Sequence, residues 1–446
     1  MSATTEQPVQ APPIEHKTTV GNYFVSNYPP FSFWKPDLVS EIVQSLERPP
    51  QAGVPLGVYL HIPFCRKRCH FCYFKVYTDK DSAAIRGYID AALQEMAIYA
   101  SKPVIGGRPA NFVYFGGGTP SFLSVDQLKH LTDGMKRLIP WTGVEEVTFE
   151  CEPGTLTTHK LAAIREMGVT RLSLGVENFD DHILEINGRA HHSKEIARAY
   201  AFARELQFPQ INVDLIAGMV EEMDANWKEC VRKVIEMSPD SVTVYQMEIP
   251  FNTTIYREMK AAGKLVAPVA DWEVKRNWVA YAFSELEKAG YTVGSAYTAV
   301  KDKAKTKFVY RDRLWAGADL LGLGVASFGH LQGTHYQNQH DFDPYVKAVQ
   351  SGQLPIYRAL TPTAEERLIR EFVLQLKLGS VSADYFKNKF GVDVKLRFAE
   401  PLQRLSDWGF ASVNGDAIQL NREGLLQVDR LLHEFFLPEH RNARYA

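Results

Sequence analysis

Residues 58–74 read VYLHIPFCRKRCHFCYF. A short apolar, β-type run at 58–62 leads directly into a loop that holds Cys65, Cys69 and Cys72, three of the five cysteines of the 446-residue chain. Thiolates are soft ligands that suit iron–sulfur clusters, zinc or copper(I). The loop is therefore the candidate metal site from which the rest of the chain can be interpreted.

The spacing of the three cysteines favours a cluster over a single ion. A structural zinc site needs four closed ligands, and the loop offers only His70 as the fourth, placed awkwardly between Cys69 and Cys72. A cubane cluster held by three thiolates keeps one iron open to a small molecule. We therefore predict an iron–sulfur cluster, with zinc and copper(I) as the alternatives.

Composition limits the function classes. The chain is 45% hydrophobic and 23% charged with a net charge of -2, which is ordinary for a globular protein and gives no electrostatic reason to expect nucleic acid or a membrane surface as a partner. No apolar run is long enough to span a bilayer, and the first residues lack the pattern of a secretory signal. The cysteines are clustered and do not form the pattern of a secreted disulfide framework, which favours a reducing compartment. We therefore predict a cytoplasmic protein.

Short apolar runs alternate with helical periods over residues 57–290. Buried strands joined by helices through short loops predict a parallel α/β sheet with right-handed crossovers. The cysteine loop, a Gly-Gly-Gly-Thr-Pro segment and several carboxylates all follow strands, which is where a βα barrel carries its functional residues. This predicts a partial parallel (βα)6 barrel with strands at 58–62, 111–115, 146–150, 171–176, 211–216 and 241–247, and helices at 82–100, 125–138, 158–167, 194–206 and 226–237.

Outside the barrel, an aromatic arm is predicted to pack on the surface, with a lid as the alternative. At the other end of the chain, a C-terminal unit is predicted to combine helices with an Asn414-Gly415 hairpin and a last helix at 422–436. This winged-helix-like unit carries equal numbers of basic and acidic residues, so we expect it to pack against the barrel rather than to bind DNA. The predicted organisation is a disordered tail at 1–20, the arm at 21–56, the barrel at 57–300, a connector at 301–360 and the C-terminal domain at 361–446.

Five segments in order identify a family. They are HIPFC at 61–65 with the three-cysteine spacing, GGGTP at 116–120, ECEP at 150–153, RLSLGVENF at 171–179 and NVDLIAG at 212–218. Together they resemble the oxygen-independent coproporphyrinogen III oxidases, a family of radical S-adenosylmethionine (SAM) proteins that also includes haem chaperones and methyl-transferring relatives. The resemblance covers about residues 20 to 440.

The resemblance implies a 4Fe–4S cluster on Cys65, Cys69 and Cys72. Its open iron would bind SAM, and one electron from a low-potential donor such as flavodoxin or ferredoxin would release a 5′-deoxyadenosyl radical. The substrate would be a tetrapyrrole of haem and porphyrin metabolism, oxidatively decarboxylated at a propionate, and no catalytic residue is assigned. The implied SAM-contacting positions are Tyr59, Phe71, Gly117, Gly118, Thr119, Glu150, Glu177, Arg189, Asp214 and Phe328.

Two positions depart from the oxidases. Phe74 stands where the oxidases carry a fourth cysteine, as in the haem-chaperone branch. Glu177 replaces the glutamine that the oxidases direct towards a second SAM, so the number of bound SAM molecules, one or two, stays open. The alternatives are a haem-binding chaperone and a methyl or methylene transferase acting on a non-porphyrin substrate. For a tetrapyrrole we expect the arm to offer apolar surface and Arg66, Lys67, Arg68 and Lys75 to pair with carboxylates or to form a solvated face.

Overall fold

The computed structural model describes residues 21–263, 269–441 and 443, and the predicted tail at 1–20 lies outside them. Six parallel strands follow one another in both chain and spatial order. These strands are β1 to β6: Leu56–Ile62, Phe112–Gly117, Glu146–Cys151, Arg171–Glu177, Gln210–Ala217 and Ser241–Gln246.

The barrel is partial because β1 and β6 pair with other strands at their outer edges. β1 pairs in parallel with a strand of the connector, and β6 pairs with an antiparallel ribbon. The predicted partial (βα)6 barrel is thus confirmed as the centre of a twelve-stranded sheet. The added strands, β7 to β12, are Thr292–Val293, Thr298–Val300, Asp319–Leu323, Phe328–Leu331, Thr334–Asn338 and Ile356–Leu360.

Helices cover the outer face of the sheet and bury its apolar side chains in one large core. Local sequence sets several of their ends: Ser124 and Gln127 form a capping box, and Gly168 adopts φ +91° after its helix. Up to the end of the barrel the helices are α1 to α9: Val39–Leu46, Ser82–Ala100, Val125–Leu138, Thr158–Glu166, Asp181–Ile186, Ser193–Glu205, Asp224–Met237, Thr254–Ala261 and Trp272–Lys288.

The C-terminal residues build a second core around a small antiparallel sheet. The Asn414-Gly415 hairpin joins β14 to β15 as predicted, with Gly415 at φ +59°. Strands β13 to β15 are Ser380–Ser382, Ala411–Asn414 and Ala417–Leu420. Helices α10 to α17 are Val309–Trp315, Phe342–Gln350, Ala364–Leu376, Ala383–Phe390, Val394–Arg397, Ala399–Asp407, Arg422–Leu425 and Val428–Leu432.

The predicted single helix at 422–436 is wrong. It is divided into Arg422–Leu425, Val428–Leu432 and a 3₁₀ turn at His433–Phe435. The carbonyl of Leu426 accepts hydrogen bonds from the side chains of Asn22 (3.4 Å) and Gln246 (3.0 Å). Because these partners come from the arm and the barrel, tertiary contacts replace helical hydrogen bonding at the break.

A buried ion pair fastens the arm to the C-terminal unit. Lys377 and Asp429 lie 2.8 Å apart, with their side chains 0% and 1% exposed. The backbone N–H of Val25 donates to Asp429, and its carbonyl accepts from Lys377. In the described chain, no helix is long and apolar enough to cross a membrane.

Candidate active site

A cavity of about 390 Å³ opens at the carboxyl ends of the barrel strands. Its wall includes Cys65, Cys69 and Cys72 from the loop after β1, together with residues that follow β2, β3 and β4. Parallel strands bring their carboxyl ends to one face, so segments far apart in sequence meet here. The volume lies in the range of small-molecule sites.

The cysteine loop is held at Cys65 and again between Cys69 and Cys72 by backbone hydrogen bonds. The N–H of Cys65 donates to the Tyr77 carbonyl (3.1 Å), and the N–H of His70 donates to the Asn187 carbonyl (3.0 Å). The His70 ring contacts the Ile186 carbonyl through Nδ1 at 3.0 Å. His70 is therefore engaged away from the thiols, which gives the zinc alternative no support.

The glycine loop packs directly on the cysteine loop. A Cβ on Gly118 would lie 3.0 Å from Cys65 Sγ and 2.9 Å from the Ile62 carbonyl oxygen, while a Cβ on Gly117 would lie 2.6 Å from the His61 ring. Thr119 Oγ1 donates to Cys65 Sγ at 3.3 Å. Only glycine allows this approach, so the two loops form one preorganised wall.

Arg189 joins the thiols to the end of β4. Its guanidinium donates to Cys69 Sγ (3.3 Å) and to the Gly175 carbonyl (2.6 Å), and it lies 3.8 Å from the Glu177 carboxylate. Glu177 has φ +65°, at a register shift between β4 and β5. A non-glycine residue in this conformation is strained, and such strain concentrates at functional sites.

Burial keeps two thiols of the loop, those of Cys65 and Cys72, protonated when no metal is bound. It raises the pKa of Cys65 to about 11 and that of Cys72 to about 12, against a partial lowering by the Thr119 hydroxyl and the Phe74 backbone N–H, respectively. Metal binding requires thiolates and releases their protons. The loop is thus suited to a positively charged metal group rather than to acting as a free nucleophile.

Two carboxylates face the cavity with donors already in place. Glu150 accepts from the Tyr114 hydroxyl (2.6 Å) and from the Gly117 N–H (3.2 Å). Asp214 accepts from the Ser173 hydroxyl (2.9 Å) and from the Asn212 amide (2.8 Å). These bonds fix the direction of each carboxylate before any ligand enters.

Comparison with known proteins relates the barrel to a family. The radical SAM superfamily model matches residues 59–234, which carry the cysteine loop, the glycine loop and both carboxylates. Residues 59–234 therefore carry a radical SAM domain. Proteins of this superfamily use a 4Fe–4S cluster and SAM.

Curated relatives match nearly the whole chain. The heme chaperone HemW of Bacillus subtilis is 29% identical over 385 residues, covering 85% of this chain and 98% of that protein. The oxygen-independent coproporphyrinogen III oxidase of Helicobacter pylori strain J99 is 27% identical over 400 residues, covering 86% of each chain. The structure of coproporphyrinogen III oxidase (HemN) from Escherichia coli aligns with a TM-score of 0.81 at 24% identity, over 93% of this chain and 96% of that one, and shows a shared fold.

The arrangement of the three thiols fits an iron–sulfur cluster. A cubane takes one thiolate per iron. Cys65, Cys69 and Cys72 place three thiols on one cavity wall, which fits this arrangement. The neighbouring glycine loop packs against the thiols so closely that a Cβ on Gly118 would contact Cys65 Sγ.

The structure brings most of the predicted site residues together, but not all. Tyr59 lies behind Tyr114, with ring centroids 5.9 Å apart, and Phe328 packs on Phe31 of the arm at 4.4 Å. Neither is among the residues that line the cavity, and their SAM contacts stay a prediction. Those that line it are Cys65, Cys69, Phe71, Cys72, Gly117, Gly118, Thr119, Glu150, Glu177, Arg189 and Asp214.

Three of the four basic side chains expected to meet carboxylates of a substrate already have protein partners. Arg66 pairs with Glu152 (3.0 Å), Lys75 pairs with Asp341 (2.7 Å), and Arg68 donates to the Cys72 carbonyl (2.9 Å). These residues reinforce the loop instead of presenting free charge.

Sequence reasoning missed several polar side chains on the inner faces of the strands. Tyr114, Arg171, Ser173 and Thr243 line the cavity, although each lies within a strand rather than after one. The signal was present, since Arg171, Ser173 and Gly175 alternate with apolar residues along β4. Polar residues with period two inside a buried strand indicate a polar barrel interior.

Buried carboxyl groups make stability depend on pH. Burial raises the pKa of Glu177 from 4.5 to about 7, so the folded protein retains a proton that the unfolded chain has lost. We expect the free energy of unfolding of cluster-free protein to fall as the pH rises from about 4.5 to about 7, and this contribution to level off above that. The same direction applies to Glu95, Glu150, Glu222 and Glu248.

Urea unfolding at pH 5, 6, 7 and 8 measures this slope. Glu177→Gln should make the fall shallower, because one titrating group is removed. The matched control Glu185→Gln changes an exposed carboxylate on Asp181–Ile186 and should leave the slope unchanged. Identical slopes for both variants and wild type would contradict the assignment.

Proposed function

We propose that the protein is an enzyme that cleaves SAM at a 4Fe–4S cluster bound by Cys65, Cys69 and Cys72, and that it acts on a tetrapyrrole by oxidative decarboxylation. The observation that carries this proposal is the contact between the two loops, in which Gly118 leaves no room for a Cβ beside Cys65 Sγ. Support for the substrate class comes from the relatives named oxygen-independent coproporphyrinogen III oxidase.

The residues around the cluster loop have distinct parts in this proposal. When bound, the cluster and SAM supply one-electron cleavage that yields the 5′-deoxyadenosyl radical. The Gly117 and Gly118 backbone allows the methionine part of SAM to approach closely. Arg189 places positive charge beside Cys69 Sγ, where it stabilises the thiolate and accompanying negative charge.

The cavity also presents aromatic surface to a flat substrate. Phe24, Tyr73, Phe74, Tyr245 and Phe308 line it. Tyr73 and Phe74 are 45% and 43% exposed, with ring centroids 4.5 Å apart. Of the aromatic arm, only Phe24 reaches the cavity wall, so the cluster loop supplies more of this surface than the arm does.

Anaerobic reconstitution followed by incubation with SAM, dithionite and coproporphyrinogen III tests the proposal. Mass spectrometry is expected to detect a product lighter by the loss of CO2 and two hydrogens per propionate, formed together with 5′-deoxyadenosine. 5′-Deoxyadenosine without the decarboxylated porphyrinogen would contradict the substrate. S-Adenosylhomocysteine in the same run would point to methyl transfer instead.

A haem-binding chaperone is the second candidate, and two observations favour it. Phe74 replaces the fourth cysteine of the oxidases, and the Bacillus subtilis relative is named a heme chaperone. This candidate predicts stoichiometric haem binding with no new porphyrin product in the presence of SAM and reductant. Decarboxylation of coproporphyrinogen III would exclude it as the sole function.

A further inference from the structure

Arg171 differs from the other cationic side chains of the cavity wall. It lies at the start of β4, is 2% exposed and lines the cavity. Its guanidinium makes no hydrogen bond or ion pair with any described residue, and the buried Nε is without a partner. A buried charge is costly unless it is paired, so this arrangement calls for an anion.

The other cations of the wall are already engaged. Arg66 pairs with Glu152, Arg68 donates to the Cys72 and Asn252 carbonyls, and Arg189 contacts Cys69, Gly175 and Glu177. Lys67 is exposed at the rim. Among the described residues of the interior wall, Arg171 therefore offers the free donors.

Neighbouring side chains orient Arg171 without using its donors. Its guanidinium lies 4.1 Å from the centre of the Phe308 ring, where the ring face stabilises the cation. Glu150 and Asp214 face the same space, but they accept their hydrogen bonds from Tyr114, Gly117, Ser173 and Asn212. These two carboxylates balance the charge of Arg171 at longer range and leave the N–H donors of its guanidinium available.

We infer that Arg171 binds a carboxylate of the substrate at the floor of the barrel, and this inference rests on the proposed function. The planar fork of arginine matches a carboxylate with two parallel hydrogen bonds. Arg171 begins β4, and its side chain lines the same cavity as the cysteine loop. A carboxylate of a propionate side chain bound by Arg171 would therefore lie inside the barrel.

Binding of coproporphyrin III and of its tetramethyl ester to cluster-reconstituted protein tests the inference. Arg171→Met keeps much of the side-chain length and removes the charge; it is expected to weaken binding of the free acid by about 10- to 100-fold, the range for a charge-assisted hydrogen bond. The ester should bind wild type and variant equally. Lys129→Met, which removes an exposed lysine of Val125–Leu138, is the matched control and should bind as wild type does.

Cluster absorbance and substrate-free 5′-deoxyadenosine formation separate folding from binding. Should Arg171→Met fail to retain its cluster, Arg171→Lys replaces it and is expected to weaken binding of the acid by a smaller factor, because the charge remains and the fork is lost. Equal affinity of variant and wild type for the free acid, or equal weakening for acid and ester, would overturn the inference and leave the proposed function standing. Selective loss of acid binding in Arg171→Met, together with a wild-type protein that forms no decarboxylated product, would uphold the inference and reject the proposed reaction.

Discussion

The Cys69→Ala variant is expected to lose its iron–sulfur absorbance and to form no detectable 5′-deoxyadenosine. Cys65, Cys69 and Cys72 would each bind one iron, and two thiolates do not hold a cubane in the proposed arrangement. The variant also removes the sulfur that accepts from Arg189 at 3.3 Å. Iron content, visible absorbance and mass spectrometry after anaerobic reconstitution measure the loss.

Cys230→Ser is the matched control for that prediction. Cys230 is buried outside the loop, where its sulfur contacts Asn178 and the Phe179 N–H, and serine keeps both a donor and an acceptor. This variant should retain iron and SAM cleavage. Normal iron content and absorbance in Cys69→Ala would contradict the proposed ligand set.

The largest expected effect on stability is that of Asp429→Ala. The substitution leaves Lys377 as an uncompensated buried charge, which costs about 3–5 kcal/mol in the free energy of unfolding. It also removes the acceptor for the Val25 N–H and the Tyr297 hydroxyl, so the arm loses its anchor. Urea unfolding of cluster-free protein measures the difference from wild type.

Asp407→Ala is the control, because Asp407 is exposed at the end of Ala399–Asp407. It should change the free energy of unfolding by about 0.5 kcal/mol or less. Susceptibility of the segment around Val25 to limited proteolysis should rise in Asp429→Ala alone. An equal effect of both substitutions would contradict the buried-pair account.

The barrel was predictable because its signals are local. Alternation of apolar runs with helical periods sets the order of strands, and the capping box of Ser124 is readable from four residues. The cysteine loop was equally accessible, since ligand type and spacing restrict the chemistry. These features depend on neighbours in sequence.

Long-range contacts account for what sequence reasoning missed. The break after Leu425 depends on hydrogen bonds from the side chains of Asn22 and Gln246 to the Leu426 carbonyl. Both residues are far from Leu426 in the sequence, and no local pattern predicts these contacts. The packing of Phe328 against Phe31 of the arm likewise joins segments that are far apart in the sequence. Such pairings arise only when separate segments meet.

The charges around the cavity illustrate the same limit. Arg66, Arg68 and Lys75 were candidates for binding substrate carboxylates because they lie beside the cysteines in the sequence. In the fold each of them has a protein partner. Arg171 lies inside a strand and was not singled out, although among the described residues of the cavity wall it is the buried guanidinium without such a partner. Sequence shows where charge is, and the fold decides which charge is free.

Formation of 5′-deoxyadenosine is the measurement that tests the central claim most directly. Wild-type protein, reconstituted anaerobically with iron and sulfide and given SAM and dithionite, should release 5′-deoxyadenosine and methionine in equal amounts. Absence of 5′-deoxyadenosine from protein with a full complement of cluster would contradict the proposal that this cavity cleaves SAM.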